Sequence, residues 1–520
     1  MRKRHLRRFV AFACMLVVSA RVAAQSGPQS AAENHDATEQ QLKQEIAELR
    51  QLMLQLRAET EQYRSEVHEL QSELHSAVSG RMASGDQAPA TTPVLAGTSA
   101  GSPQQLTASD NGQNAKLAGI EDDLQMLKGK VDDQYQTKVE SGSRYRVKLS
   151  GIALFDAFSN RGSVDSIDVP QHADPPGFLG EAGSVGGSFR QSQVGMEVIG
   201  PEWRGAKLDA DVRFDFAGGF PDTVNGVTFG LPRLRTGTIN LRWPNTTIVA
   251  GQDSPFFSAL SPGSLASLST PAFSYSGNLW YWVPQLRVEH RIAVSDAGNA
   301  VIQVGLLDPL TGEPPRDQFD RSPQAGEVSR SPAYAARVGF ASGQDDSLSF
   351  GVGGYFGRQN WGFSRIVNSW AGTFDWQIPL PSRFALRGEF YRGSALGGLG
   401  ATGGHSYVST DVLNNSQAIV QGLQTLGGWA QLKFRATSTV EFNTGYGQDN
   451  PFSSQLRQFS PVLARFYPDL GINRDVLVNS IYRPRSNLLL SLEYRHIYSA
   501  RLLDTRRTAE HVNAAIGVLF

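Results

Sequence analysis

The side chains best placed to do chemistry are arginines and lysines spaced two apart. Arg144, Arg146 and Lys148 alternate with Tyr145, Val147 and Leu149, and Arg287 with Arg291, Arg337, Arg387, and Lys433 with Arg435 recur on the polar side of later segments of the same kind. Fixed cations along a narrow, low-dielectric passage attract anions and raise their local concentration. Asp209, Asp211, Asp215, Glu289, Asp375, Glu389, Glu441 and Glu493 share those faces. Each arginine therefore has a second reading, a rung in a salt-bridged ladder, and the inference is a property of the group: pore lining with a mild preference for anions. Covalent and metal chemistry is poorly provided for. The histidines are scattered, with no HExxH, no paired zinc spacing and no GxSxG, and the one cysteine, Cys14, lies in the apolar run Phe9 to Ala20. A surface-loop hydrolase built on His405 or His172, or a divalent cation at Asp449-Asn450, has no supporting spacing. The reading is a non-enzyme with no catalytic residue, no metal and no cofactor.

The elements that must position these charges alternate with period two. In Ala206 to Ala217 the even positions Ala206, Leu208, Ala210, Val212, Phe214 and Phe216 are apolar, while Lys207, Asp209, Asp211, Arg213 and Asp215 are charged. The last segment puts Val512, Ala514, Ile516, Val518 and Phe520 on one face. Sixteen such segments of about 9 to 14 residues start near 144, 188, 205, 232, 245, 284, 299, 331, 346, 367, 382, 426, 438, 474, 486 and 508. Every second connection is short, and the others run from about ten to thirty-four residues. Short turns on one side, long loops on the other and strands of bilayer-crossing length describe a bacterial outer-membrane β-barrel. Closure removes the unpaired edges that lipid cannot satisfy. A soluble two-layer β protein would also alternate. It would, however, have to bury Lys207, Asp209, Asp211, Arg213 and Asp215, which a water-filled lumen accommodates. Trp243, Trp376, Tyr494 and Phe520 suit interfacial girdles, and Phe520 on the apolar face reads as a C-terminal assembly signal.

Ahead of this all-β region the chain changes character. Arg2, Lys3, Arg4, Arg7 and Arg8 precede the twelve-residue apolar run, and Val22-Ala23-Ala24 follows it, so residues 1–24 read as a signal peptide rather than a buried helix. Its removal leaves a chain without cysteine, of export type. In residues 25–78, Leu42, Ile46, Leu49, Met53, Leu56, Thr60, Tyr63, Val67, Leu70, Leu74 and Ala77 follow steps of four and three, an α-helical coiled coil expected to self-associate. An amphipathic helix packed on its own domain is the alternative. Residues 79–115 are a low-complexity linker, and 116–142 resume an a/d pattern as a second short coil. From Gln25 to Gly142 the net charge is −9, whereas residues 143–520 carry +2. Formal charge over the whole chain is −1, with no basic block outside the first eight residues, so nucleic acid is not an expected partner.

Six stretches, Ser143 to Gly151, Phe189 to Gly195, Val249 to Phe256, Arg387 to Phe390, Gly427 to Leu432 and Gly445 to Asp449, resemble the DcaP-like trimeric porins. The resemblance covers residues 143 to 520. It implies a homotrimer of 16-stranded barrels in the outer membrane, a periplasmic N-terminal coil, and passive uptake of small hydrophilic, often anionic, solutes such as small carboxylates. In porins of this type the third long loop folds inward to narrow the pore. Here that loop is 253–283, with Asp253, Ser254, Phe256 and Phe257 at its start and Trp280, Tyr281 and Trp282 at its close. Asp253 is its one charged residue, so the opposite wall would have to supply any selecting field. An external loop without a pore role is the alternative. A different class of function is also open: a plugged barrel acting as a structural anchor for a coiled-coil tether to the cell wall.

Overall fold

The computed structural model describes residues 138–139 and, from Tyr145 to Phe520, all but 178–179, 181, 221–229, 296–297, 314–320, 343–347, 459–469 and 502–505. The segments read as signal peptide, first coil and linker, and most of that read as a second coil, lie outside these residues. Lys138–Val139, at the end of the segment read as a second coil, is instead extended.

Sixteen antiparallel strands close into one barrel. They are β1 (Arg146–Arg161), β2 (Gly183–Ser188 continuing as Gln193–Ile199), β3 (Lys207–Asp215), β4 (Arg233–Arg242), β5 (Thr246–Asp253), β6 (Val283–Ser295), β7 (Gly298–Leu307) and β8 (Ala333–Ala341). The second half comprises β9 (Ser349–Asn360), β10 (Ile366–Leu380), β11 (Phe384–Ser394), β12 (Gln424–Arg435), β13 (Val440–Pro451), β14 (Leu470–Arg485), β15 (Leu488–Arg501) and β16 (Arg507–Leu519). Closure is made at β1, which pairs with β2 on one edge and with β16 on the other, from Ile152 opposite Leu519 to Arg161 opposite Glu510. Where β16 stops, Lys138–Val139 takes over the same edge, with Lys138 opposite Lys148. Glycine is required at the seam. A Cβ on Gly151 would fall 2.3 Å from the Gln193 carbonyl and 2.6 Å from the Phe520 ring.

Burial along the strands is inverted relative to a protein in water. Phe374 is 43% exposed while its neighbour Asp375 is 2% exposed. Val338, Val352 and Leu492 likewise face outward and exposed, whereas Thr373, Asn479 and Glu493 point inward and are buried. An apolar outside around a polar inside suits lipid, and a two-layer soluble protein would bury the opposite face.

Two loops depart from the sequence-based lengths. Residues 361–365 and 502–506 are short connections on the long-loop side, because pairing continues to Asn360 opposite Ile366 and to Ser499 opposite Arg507. Strands outrun their expected length as well: β1 and β14 have 16 residues. Nor is the interior simply aqueous. Residues 254–282, the connection from β5 to β6, lie against the inward face of the wall and bring their own apolar groups. Phe256, Phe257 and Leu279 pack with Tyr355, Ala371 and Tyr391. Leu265 joins Ile152, Leu154, Ile481 and Leu489, and Phe273 joins Trp429 and Leu477. Gly277 allows the closest approach, at φ +101, where a Cβ would sit 2.2 Å from the Gly428 carbonyl oxygen.

Candidate functional site

A loop inside a barrel must find partners for its backbone polar groups among wall side chains. Glu389 of β11 accepts from Ser258 Oγ and from the Leu260 amide, both at 2.7 Å. Gln431 of β12 accepts from the Gly263 amide at 2.8 Å and donates to the Gly263 carbonyl at 2.9 Å. Ser264 Oγ donates to Glu493 at 2.6 Å, and Arg495 donates to Ser267 Oγ at 2.6 Å. Gln191, between the two pieces of β2, accepts from the amides of Leu268 and Ser269 at 2.8 and 3.1 Å and donates to the Ala266 carbonyl at 3.1 Å. The loop is therefore tied to the wall from β11 round to β2 and narrows the interior along that arc.

On β3 and β4 the loop meets an arginine cluster. Arg233 makes a two-pronged contact with Asp215, Nε to Oδ1 at 3.0 Å and Nη2 to Oδ2 at 2.7 Å, and Arg235 adds a third bond at 2.9 Å. Asp215 is fully buried. Both guanidinium groups donate to the loop, Arg233 to the Ser269 carbonyl at 2.6 Å and Arg235 to that of Leu268. Both also lie over the Trp282 ring, at 5.1 and 4.5 Å, a cation–π arrangement. Arg213, two residues before Asp215 on the same face, is mostly exposed, with Nε 3.5 Å from Asp211. Three guanidinium groups thus share two carboxylates, with Glu197 opposite Asp211 on the neighbouring strand. Towards the short-turn end, Arg242 makes a bidentate contact with Asp209 at 2.6 and 3.0 Å.

The basic residues singled out from the sequence do not form one site. Arg144 lies outside the described residues. Arg287 is held by Asp253 at 2.8 Å and by Glu289 at 2.7 Å, and stacks on Phe256. Arg337 is bidentate to Asp375 at 2.9 and 2.6 Å. Arg387 donates to the Ser261 carbonyl at 2.6 Å and lies 6.0 Å from the Trp429 ring centroid. Arg146, Lys148, Arg291, Lys433 and Arg435 occupy the short-turn half of their strands, away from the loop contacts. Of the loop residues, Asp253 caps the Ser254 amide at 2.8 Å; Phe256, Phe257 and Trp280 are buried; Tyr281 and Tyr275 share a hydrogen bond between their hydroxyls. Arg213, Arg233, Arg235 and Arg242 were not singled out. The alternation Arg233-Leu234-Arg235 facing Asp211 and Asp215 is the signal that would have found them.

A second polar cluster sits in the loop after β1. Asp165 accepts from the amides of Gln171 and His172 at 2.8 and 3.0 Å, and His172 Nδ1 lies 2.9 Å from Asp174, which also meets Arg501. Burial raises the Asp165 pKa against the opposing pull of His172. Burial alone would lower His172, but its contact with Asp174 and the charges of Asp165 and Asp174 outweigh that and raise it. His172 lies between two carboxylates, Nε2 4.0 Å from Asp165 and Nδ1 2.9 Å from Asp174. Among the described residues no group of three or more His, Cys, Asp or Glu is arranged to hold a metal ion.

No family model and no curated protein matches the sequence. Solved structures do. The outer membrane channel DcaP of Acinetobacter baumannii is similar at a TM-score of 0.55 and 15% identity, covering 74% of this chain and 100% of that one. The anion-selective porin from Comamonas acidovorans aligns at TM-score 0.44 and 11% identity (72% and 100% covered), and Salmonella typhi OmpF in complex with daunomycin at 0.45 and 10% (74% and 100% covered). With its closure at β1 and β16 and its apolar exterior, the chain has the 16-stranded antiparallel barrel fold of the DcaP channel, the fold its six motifs resemble.

Proposed function

We propose that this protein is an outer-membrane porin, trimeric, through which small hydrophilic solutes diffuse passively with a mild preference for anions. Solute enters between the long loops, passes the gap between residues 254–282 and the charged wall, and leaves at the short-turn end without energy input. The observation that carries the anion preference is the arginine cluster: Arg213, Arg233 and Arg235 outnumber their carboxylates where the near-neutral loop meets the wall. Fixed charge at the narrowest point of a low-dielectric passage weighs more than charge at its mouths. Because Arg287 and Arg337 are neutralised in place, the preference is small.

The packing of the loop against the wall favours one second reading, a closed barrel that anchors the preceding chain. Single-channel recording in a planar bilayer under a salt gradient separates the two. Steps in groups of three with a reversal potential favouring chloride support the porin; inserted protein that passes no current supports the anchor.

A further inference from the structure

The interior guanidinium groups that touch the loop or its supporting wall are engaged. Arg235 is 13% exposed and divides its donors between Asp215 and the loop, and Arg337, at 12%, is clamped on Asp375. Arg495 is enclosed by Glu493 and the Ser267 hydroxyl. A buried ion pair presents a passing solute with a small dipole rather than a charge.

Arg213 differs. Its side chain is 62% exposed, and the 3.5 Å separation from Asp211 is too long for a strong hydrogen bond. Asp211 is itself engaged by the Thr238 hydroxyl. Position adds to exposure. Arg213 stands opposite Gly195 in β2 and Thr236 in β4, one inward step below Asp215, whose arginines hold loop residues Leu268 and Ser269. Arg213 itself lines a cavity of about 290 Å³ at the β1–β16 seam, together with Ser150, Gly151, Gln193, Val194 and Phe520. The absence of a side chain at Gly195 keeps this space open, since a Cβ there would lie 3.4 Å from both Arg213 Cγ and Ser150 Oγ. Other exposed inward cations among the described residues, such as Arg146, Lys148, Lys207 and Arg291, stand at the short-turn end, away from the loop, where bulk electrolyte screens them.

We propose that Arg213 sets the ion preference of the channel: its guanidinium is the charge that small anions meet in the cavity it lines at the β1–β16 seam. This rests on the porin reading. The test is the reversal potential of the full-length protein in a potassium chloride gradient, for wild type, Arg213→Gln, Arg213→Lys and Asp211→Asn. Removing one solvent-exposed charge, partly offset by Asp211, at about 5 Å from the permeating ion should lower the chloride-to-potassium permeability ratio roughly 2- to 4-fold in Arg213→Gln. Arg213→Lys should keep the ratio, and Asp211→Asn should raise it. A conducting Arg213→Gln channel with the wild-type ratio overturns the assignment and leaves the porin standing. Wild-type protein that inserts without conducting overturns both.

Discussion

The side-chain amide of Gln431 closes on the peptide of Gly263 from both ends, accepting from its N–H at 2.8 Å and donating to its carbonyl at 2.9 Å. Nothing nearer in sequence offers that service: 168 residues separate the two. Gln431→Ala would leave the Gly263 N–H without this partner, at a cost of about 1 to 3 kcal/mol, while the carbonyl keeps Asn479 Nδ2 at 3.1 Å. Thermal unfolding should shift down accordingly. Current noise in single-channel records should rise, because the middle of the loop is released while its ends stay attached.

Asp215 holds two guanidinium groups with its own side chain fully buried. In Asp215→Asn the two cations face each other with no counter-charge, a loss of about 3 kcal/mol on the scale for breaking one partner of a buried pair. Arg233 retains some solvent contact, so the loss falls at or below that figure. Two readouts should move together: chemical denaturation at a lower midpoint, and a higher anion preference in any channel that still inserts. A variant with unchanged stability would show that Arg233 and Arg235 are solvated well enough without the carboxylate.

Gly151 lies where β1, β2 and the end of β16 converge. Gly151→Val must displace both the Gln193 carbonyl and the Phe520 ring, 2.3 and 2.6 Å from the new Cβ. Barrel closure should fail in a large share of molecules. The heat-modifiable, compact form on a gel is the measure, and Gly195→Ala, where the nearest atoms are 3.4 Å away, is the milder control.

The cluster around His172 predicts a pH dependence confined to the loop after β1. The His172 pKa is raised above its ordinary 6.5. Its stabilising contribution is therefore complete below about 6.5 and is lost as pH rises through the higher folded-state value. Asp165, raised by burial, becomes more costly to keep ionised in the same direction, while Asp174, held low by His172 and Arg501 once its burial is outweighed, weakens the cluster only in acid. Amide exchange at 165 and 171–172 should accelerate between pH 6 and pH 9 beyond the intrinsic chemical trend. His172→Gln should abolish the excess.

Much of the fold was legible because lipid outside and water inside impose opposite demands on neighbouring residues. Phe214 and Asp215, or Phe374 and Asp375, state the two faces within one dipeptide. The ends of β9, β10, β15 and β16 were not legible, since backbone pairing continues past the last clear alternation, as at Asn360 and Ile366. The site was harder still. A loop with a single charged residue shows nothing in its sequence of how it is held, because what binds it is its own peptide groups. Glu389 and Glu493 read as members of a charged wall, and only the folded chain brings Ser258 to one and Ser264 to the other. Arg233 and Arg235 escaped notice for the same reason: their carboxylate, Asp215, is on another strand.

The attachment of residues 254–282 also bears on the order of assembly. Ser264 and Glu493 are 229 residues apart, Gln191 and Leu268 are 77 apart, and the two flank the seam made by β1 and β16. Contacts of such separation form late, after loop-closure entropy has been overcome by the strands between them. The stretch from Ser264 to Ser269, held from both sides of the seam, can be fully seated only once the first and last strands have met. Its protection from protease is therefore a clock for completed insertion, set by the chain itself and readable without any solute.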